Sequence, residues 1–230
     1  PYVHGKALMA AGYNFVSESR QAFSDGPAPT ATEYRMLDII CGKQTSTQIG
    51  RIGSAPVRYT VFTRPIQDRI TAYSATGGNI LVSGAYIASD IWEPEYEYSG
   101  NRILSPADRE SASKFATKVL KYKMLTNSAS AAGIVKVSPN PLPFKSKEKY
   151  SFRTVPNEKC YAVESPDALT PIGKSTYVIM RYDDSNTAAG IAYQGTDYRV
   201  AAFGFPLEAL ESEGQLEKLM SQIAEFFTKK

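Results

Sequence analysis

The polar residues most able to do chemistry stand where apolar segments of the chain end. These candidate catalytic residues are Glu18, Lys43, Gln44 and Ser83. In an open parallel sheet, ligands bind outside the carboxyl ends of the strands. We therefore expect these side chains to converge on one crevice. The alternative is structural, because every α/β domain carries polar residues at its strand ends.

Ser83 stands where a predicted strand turns into a helix, which is the position of the nucleophile in a nucleophile elbow. The local sequence Val82-Ser-Gly-Ala-Tyr86 departs from the Gly-x-Ser-x-Gly pattern of that elbow. A serine nucleophile also needs a base to take its proton. His4 is the single histidine, and nothing in the sequence places it beside Ser83. A structural role for His4 is favoured.

An acidic, tyrosine-rich tract is the candidate ligand-binding segment. Its aromatic residues are Trp92, Tyr96 and Tyr98, and its carboxylates are Glu93, Glu95 and Glu97. Aromatic faces beside hydrogen-bond acceptors suit a sugar ring or a protein partner. The alternative is a loop whose rings pack on the body of the protein.

Composition argues against several classes of function. A single histidine excludes multi-histidine zinc sites, and Asp183 and Asp184 are more typical of a hairpin turn than of a Ca²⁺ site. We predict neither a metal nor a cofactor. The net charge of +3 comes with scattered Lys and Arg, which argues against a nucleic-acid partner. No segment reaches the roughly 18–20 apolar residues of a transmembrane span.

Hydrophobic periodicity predicts the elements that position these residues. Helices are predicted over residues 3–11, from Thr63 to Gly77, from about residue 85, from Ser105, and over about 213–227. Strands are predicted at 14–17, 36–41, 79–83, 133–137, 149–154, 160–163, 177–182, 188–193 and 199–205. The continuous apolar character of residues 36–41 is typical of a parallel strand covered on both faces.

The order of these elements predicts an α/β fold, a three-layer sandwich with a mostly parallel central sheet and a β-rich second half. A single domain over residues 1–230 is the simplest arrangement. The chain begins with Pro1 and has neither an initiator Met nor a signal peptide. We expect it to be a piece of a longer, multi-module protein.

Several segments resemble class I glutamine amidotransferase-like domains, which are flavodoxin-like. They are residues 77–90, Leu37-Asp-Ile-Ile-Cys-Gly-Lys-Gln44 and residues 200–208. More narrowly, three motifs resemble a family of large envelope or secreted proteins of Bacteroidetes labelled xanthan lyases. They are Tyr2-Val-His-Gly-Lys6, Cys41-Gly-Lys-Gln44 and Val82-Ser-Gly-Ala-Tyr-Ile87. The resemblance implies a secreted or cell-envelope location, neighbouring modules in the same polypeptide, and a first strand that this chain lacks.

The chain departs from the amidotransferase pattern at both catalytic positions. Ser83 and Gly84 stand where that family has its cysteine, and Phe205 stands near the position of its histidine. A hydroxyl and a phenyl ring cannot replace a thiolate and an imidazole base. Glutaminase activity is therefore not expected.

The resulting functional prediction is a non-catalytic module that binds a glycan or packs on neighbouring modules. The alternative is a carbohydrate-active enzyme, a polysaccharide lyase or cell-wall hydrolase, with its site at the strand ends. A plain structural module is the third possibility.

Overall fold

The computed structural model describes residues 1–45, 47–49, 57–93 and 104–228. Its helices are α1 (Tyr2–Ala10), α2 (Arg20–Asp25), α3 (Arg64–Ala75), α4 (Ser89–Trp92), α5 (Pro106–Phe115) and α6 (Glu213–Thr228). A π-helical turn (Ala116–Leu120) continues α5, and a 3₁₀ turn (Leu207–Ala209) precedes α6. Its strands are β1 (Met36–Gly42), β2 (Thr47–Ile49), β3 (Val57–Tyr59), β4 (Asn79–Gly84), β5 (Tyr122–Thr126), β6 (Ile134–Val137), β7 (Lys149–Ser151), β8 (Ala168–Pro171), β9 (Thr176–Tyr182), β10 (Ala188–Gln194) and β11 (Arg199–Phe203).

The main sheet has seven strands in the order β1-β4-β11-β10-β9-β6-β7. Only the β1–β4 and β4–β11 pairings are parallel, and the other four are antiparallel. The predicted mostly parallel, flavodoxin-like three-layer sandwich is therefore wrong, because the sheet is mixed and curled. The physical reason is the length of the connections: residues 183–187 and 195–198 are too short for a crossover. They force β9, β10 and β11 to pair as antiparallel neighbours.

Helices cover the sheet on both faces near β4. Leu81 packs on the side of α1 and α6, whereas Ile80 and Val82 pack on the side of α3 and α5. Five of the six β4 residues are buried. All seven residues of β1 are only half-buried, because β1 is the edge strand of the sheet.

Capping signals in the sequence locate two helices correctly. Thr63 is the N-cap of α3, and the Ser105 hydroxyl accepts a hydrogen bond of 3.1 Å from the Asp108 amide at the start of α5. The helix predicted from residue 85 is wrong, because residues 85–88 form a turn. The Asp167 carboxylate accepts bonds of 2.7 and 2.8 Å from the amides of Ala88 and Ser89, so α4 begins there.

Some strand predictions also differ from the structure. Residues 14–17 and 160–163 pair with no strand in the part of the chain that the structure describes. The β5–β8 pair was not predicted, because neither strand shows a clear alternation of apolar and polar residues. Among the described residues, no helix is long and apolar enough to cross a bilayer.

Candidate functional site

A groove of about 680 Å³ follows the outer edge of β1. Leu8 and Phe227 line it on the side of α1 and α6, and Phe23 and Ile66 line it on the side of α2 and α3. The groove therefore lies in the continuation of the sheet, between its two helical layers. Within the described residues, β1 pairs with β4 alone, and its other edge faces this space.

A buried histidine stands at the wall of the groove. His4 on α1 is 1 % exposed, and both of its ring nitrogens face carboxylates. Nδ1 lies 2.8 Å from Asp38 Oδ2 on β1, and Nε2 lies 3.2 Å from Glu208 Oε2 in the 3₁₀ turn before α6. These two contacts fasten α1 to the edge strand and to the connection that follows β11.

The two carboxylates fix the charge of His4. Burial alone would lower the pKa of His4, but the charges and hydrogen bonds of Asp38 and Glu208 outweigh it and raise the pKa to about 10. Burial would raise the pKa of Glu208, yet the hydrogen bond and charge of His4 lower it overall. The imidazole is thus a cation at neutral pH with both N–H groups donated, so it has no lone pair to act as a base.

The network continues to Tyr161 and Lys43. The Tyr161 hydroxyl donates a 2.8 Å hydrogen bond to Glu208 Oε1, and the Lys43 ammonium lies 5.9 Å from the centre of the Tyr161 ring. Gly42 makes this approach possible: a Cβ there would lie 3.2 Å from the Tyr161 oxygen, and its φ of +55° is left-handed. The other oxygen of Asp38, Oδ1, is buried and has no hydrogen-bond partner among the residues that the structure describes.

Ser83 does not meet His4. It is fully buried on β4, and within the described part of the chain its hydroxyl has no hydrogen-bond partner. Because both His4 nitrogens are engaged by carboxylates, the pair has no nucleophile–base geometry. Phe205 is also fully buried and stacks on Phe152, with ring centres 5.2 Å apart.

The other predicted catalytic residues separate into two groups. Glu18 and Gln44 both line the groove, and Glu18 is exposed. Lys43 forms an ion pair with Glu164 and is not part of the groove lining. The structure therefore brings two of the four predicted residues together, and it leaves Ser83 inside the sheet.

Trp92, the first residue of the predicted ligand-binding tract, is half-buried. Its ring lies 6.4 Å from the Tyr122 ring, and its carbonyl accepts a 2.6 Å hydrogen bond from Arg109. Trp92 therefore packs on the body of the protein. Tyr96 and Tyr98 lie outside the described residues, as do Glu95 and Glu97.

Exposed apolar side chains concentrate near the groove. Of the eight large hydrophobic residues exposed in the described part of the chain, six lie within residues 2–34. The six are Tyr2, Val3, Met9, Phe15, Val16 and Tyr34. We call this set of residues the N-terminal face; Phe15, Val16 and Tyr34 of the set line the groove. Helix α1 carries apolar residues all round, a pattern more typical of a buried helix than of a surface helix.

The two cysteines, Cys41 and Cys160, are free, and neither thiol is activated. Burial raises the pKa of Cys41 to about 12 and also raises that of Cys160. Across the described residues, no group of three His, Cys, Asp or Glu is arranged to hold a metal ion. In the network around His4, the imidazole stands between the carboxylates, so the donors do not converge on one point.

Sequence reasoning missed the partners of His4. One signal was present: Asp38 interrupts the apolar segment Met36-Leu-Asp-Ile-Ile40. A carboxylate inside a strand needs a charged or hydrogen-bonding partner, and the single histidine was the obvious candidate. Glu208 and Tyr161 gave no such signal, because they lie far from His4 along the chain.

Comparison with known proteins was informative only at the level of structure. No protein-family model and no curated protein matches the sequence. The chain is similar to the exo-β-1,4-mannosidase Op5Man5 from Opitutaceae bacterium strain TAV5, at 11 % identity and a TM-score of 0.57. That match covers 99 % of this chain and 31 % of the mannosidase chain, so this chain spans less than a third of its length.

Two further structures are similar at lower scores, which carry no argument. The polyextremophilic β-galactosidase from the Antarctic haloarchaeon Halorubrum lacusprofundi has 15 % identity and a TM-score of 0.45, over 86 % of this chain and 23 % of that one. The mmIFT52 N-terminal domain has 13 % identity and a TM-score of 0.37, over 74 % of this chain and 73 % of that one.

The comparisons overturn the resemblance drawn from the sequence. The mixed, curled sheet conflicts with a class I glutamine amidotransferase-like, flavodoxin-like domain, and the fold is instead similar to that of part of a mannosidase. No family model supports the assignment to Bacteroidetes xanthan lyase or envelope proteins. The motifs that suggested it were short strand-and-turn segments, which unrelated sheets share because they have the same local geometry.

Proposed function

We propose that this chain is a non-catalytic docking module of a carbohydrate-active protein. It binds another polypeptide segment or module of that protein and does not itself transform a sugar. The observation that carries the proposal is the N-terminal face, where six of the eight exposed large hydrophobic residues of the described chain gather. An exposed apolar surface of this kind is typical of an interaction site.

The state of the polar groups supports a non-catalytic role. The His4 imidazole is bonded on both nitrogens, the Ser83 hydroxyl is enclosed in the sheet, and burial raises the pKa of the Cys41 thiol. Each is a group that an enzyme would need free, polarised or accessible. Among the described residues, these groups are not arranged as a nucleophile with its base.

The second part of the proposal is that the chain belongs to a carbohydrate-active protein. It is supported by similarity of fold to a mannosidase of which this chain spans less than a third. A secreted or cell-envelope location, and a place in a multi-module polypeptide, remain predictions from the sequence.

Paired lysine substitutions test the docking face. Met9→Lys with Val16→Lys alters two residues of the face that are 62 % and 74 % exposed. The control, Leu125→Lys with Val155→Lys, alters residues that are 55 % and 73 % exposed elsewhere. We expect the first pair to reduce binding of an apolar fluorescent dye and the control pair to leave it unchanged. Equal effects of the two pairs would overturn the docking face.

Catalysis is tested on β-1,4-mannan and β-galactan by the release of reducing ends. We expect no turnover by the wild-type chain. Turnover that His4→Gln or Ser83→Ala abolished would replace the proposal with the enzyme alternative. Lys147→Met, a substitution at an exposed position, is the control for effects of mutation and purification that are unrelated to the site.

A second candidate function is glycan binding at the mouth of the groove. Tyr34 and Phe15 line the groove and are 45 % and 43 % exposed, so their rings are available for stacking on a sugar. Retardation of the chain in a mannan-containing gel, lost in Tyr34→Ala and kept in Tyr2→Ala, would favour this candidate over docking.

A further inference from the structure

We propose that the groove beside β1 receives an extended peptide segment, which pairs with β1 as an additional strand and places a cationic side chain next to Asp38. This inference rests on the proposed docking function and names the kind of partner. The occupant is a segment with apolar residues at alternating positions and a Lys or Arg facing the side of α1.

The backbone of β1 offers an open edge to such a partner. An edge strand presents a row of N–H and C=O groups that only another extended backbone can match in spacing. In the described chain, these groups on the outer edge of β1 face no strand. Residues 36–41 all line the groove, so it follows nearly the whole strand.

The dimensions of the groove favour a strand over a helix. Six residues of strand span about 20 Å. A groove of about 680 Å³ over that length has a mean cross-section on the order of 30 Å². A helix with side chains is about 10–12 Å across and would need several times that area.

The walls of the groove fit a strand whose two faces are both covered. Leu8 and Phe227 face one side of the added strand, and Phe23 and Ile66 face the other. The occupant would thus continue the sheet between the same two helical layers that cover β4. All seven residues of β1 are half-buried, and an added strand would cover their exposed surface.

The negative charge at Asp38 favours an occupant that carries a cationic side chain. His4 is buried, Asp38 and Glu208 are half-buried, and together they leave one net negative charge, while the buried Oδ1 of Asp38 has no hydrogen-bond partner among the described residues. The charges at the rim balance, since Glu18 and Glu33 stand with Arg20 and Arg35. A cation on the added strand would supply the missing partner. A second copy of β1 would instead bring another Asp38 to the site, which argues against pairing between two copies.

The test uses the peptide acetyl-Thr-Val-Lys-Val-Thr-Val-amide and hydrogen exchange of the whole chain. Peptide at about ten times its dissociation constant is expected to slow exchange at residues 36–41 by roughly tenfold. Two N-methylated forms are the controls, one methylated at the three valines and the other at the remaining three residues. In a strand, alternate N–H groups point to opposite edges, so one form alone is expected to lose binding.

Charge is tested on both partners. Replacing the lysine of the peptide with glutamate is expected to weaken binding at least tenfold, whatever the stability of the protein. Asp38→Asn should remove most of the preference for lysine over glutamate, whereas Asp25→Asn on α2 should preserve it. No protection of β1, or equal binding by both N-methylated peptides, would overturn the inference. Such a result would not contradict the proposed docking function, which rests on the N-terminal face. Turnover of a polysaccharide would instead contradict the proposed function, and it would leave a positive peptide-binding result valid.

Discussion

The adjacent strands β1 and β4 are held in the sheet by different kinds of interaction. Strand β4 is buried between two apolar layers. Strand β1 is half-buried, and its face toward α1 is tied by a buried network of charges in which Asp38 meets His4. The comparison teaches that an apolar segment identifies a strand but not its position in the sheet. At the edge of the sheet, ion pairs supply part of the stabilisation that apolar packing supplies in the centre.

The largest expected effect comes from removing the central cation. His4→Ala leaves Asp38 and Glu208 buried without their shared partner, and breaking a buried pair costs about 3–5 kcal/mol. The free energy of unfolding at pH 7, measured in urea, checks this. A loss below about 1 kcal/mol would mean that the charges of the edge strand do not hold α1 in place.

The pH dependence of the same network has a definite sign. His4 has a folded-state pKa of about 10 against an ordinary value of 6.5, so its contribution to stability is complete below about pH 6.5 and is lost as the pH rises through about 10. We expect the melting temperature of the wild type to fall more than that of His4→Gln between pH 7 and 10. Parallel curves for the two proteins would contradict the assignment.

Matched isoleucine truncations sharpen the contrast in packing. Ile80→Ala on β4 removes a fully buried side chain and is expected to cost about 2–5 kcal/mol. Ile39→Ala on half-buried β1 should cost about half as much, since part of its surface already meets solvent. Equal losses in denaturant unfolding would show that β1 is as well packed as β4.

Asp167 gives a pH response of the same sign on the β4 side, but in a lower pH range. Burial raises its pKa to about 7, although the amides of Ser89 and Ala88 bond the charged form. Its stabilising contribution is therefore complete below pH 3.8 and is lost as the pH rises to about 7. Relative to the wild type, Asp167→Asn should gain stability on the order of 2 kcal/mol between pH 4 and 7. Unfolding curves at both pH values measure this, and a difference that stays constant would refute it.

The smallest effect is expected at Lys43. Its ion pair with Glu164 is partly exposed to solvent, so Lys43→Met should change the free energy of unfolding by no more than about 1 kcal/mol. A larger loss would mean that the contact of Lys43 with the Tyr161 ring supports the buried network.

Local signals in the sequence predicted the elements better than their arrangement. Two helices and one strand were located from the caps at Thr63 and Ser105 and from the apolar segment of β4. These signals were sufficient because a cap or a buried strand depends on residues that are close in the sequence. The order of the strands depends on contacts far apart in the sequence. The short connections on either side of β10 were the available clue to an antiparallel half.

The candidate site was predicted only in part for the same reason. Glu18 and Gln44 do line one groove, but the expectation started from strand ends and missed the outer edge of β1. Edge position cannot be read from an apolar segment, and Glu208 meets His4 across 204 residues. The charge in the middle of β1 was the one local sign that this strand differs from a fully covered one.

Asp38 also bears on how the chain stays soluble. Its neighbours Met36, Leu37, Ile39 and Ile40 form a short segment of the kind that stacks in register in amyloid. A carboxylate in the middle is a gatekeeper, because stacking identical strands would align like charges in a row. During synthesis, before His4 and Glu208 have enclosed it, this carboxylate would deter aggregation of the same edge that the folded protein keeps open for a partner.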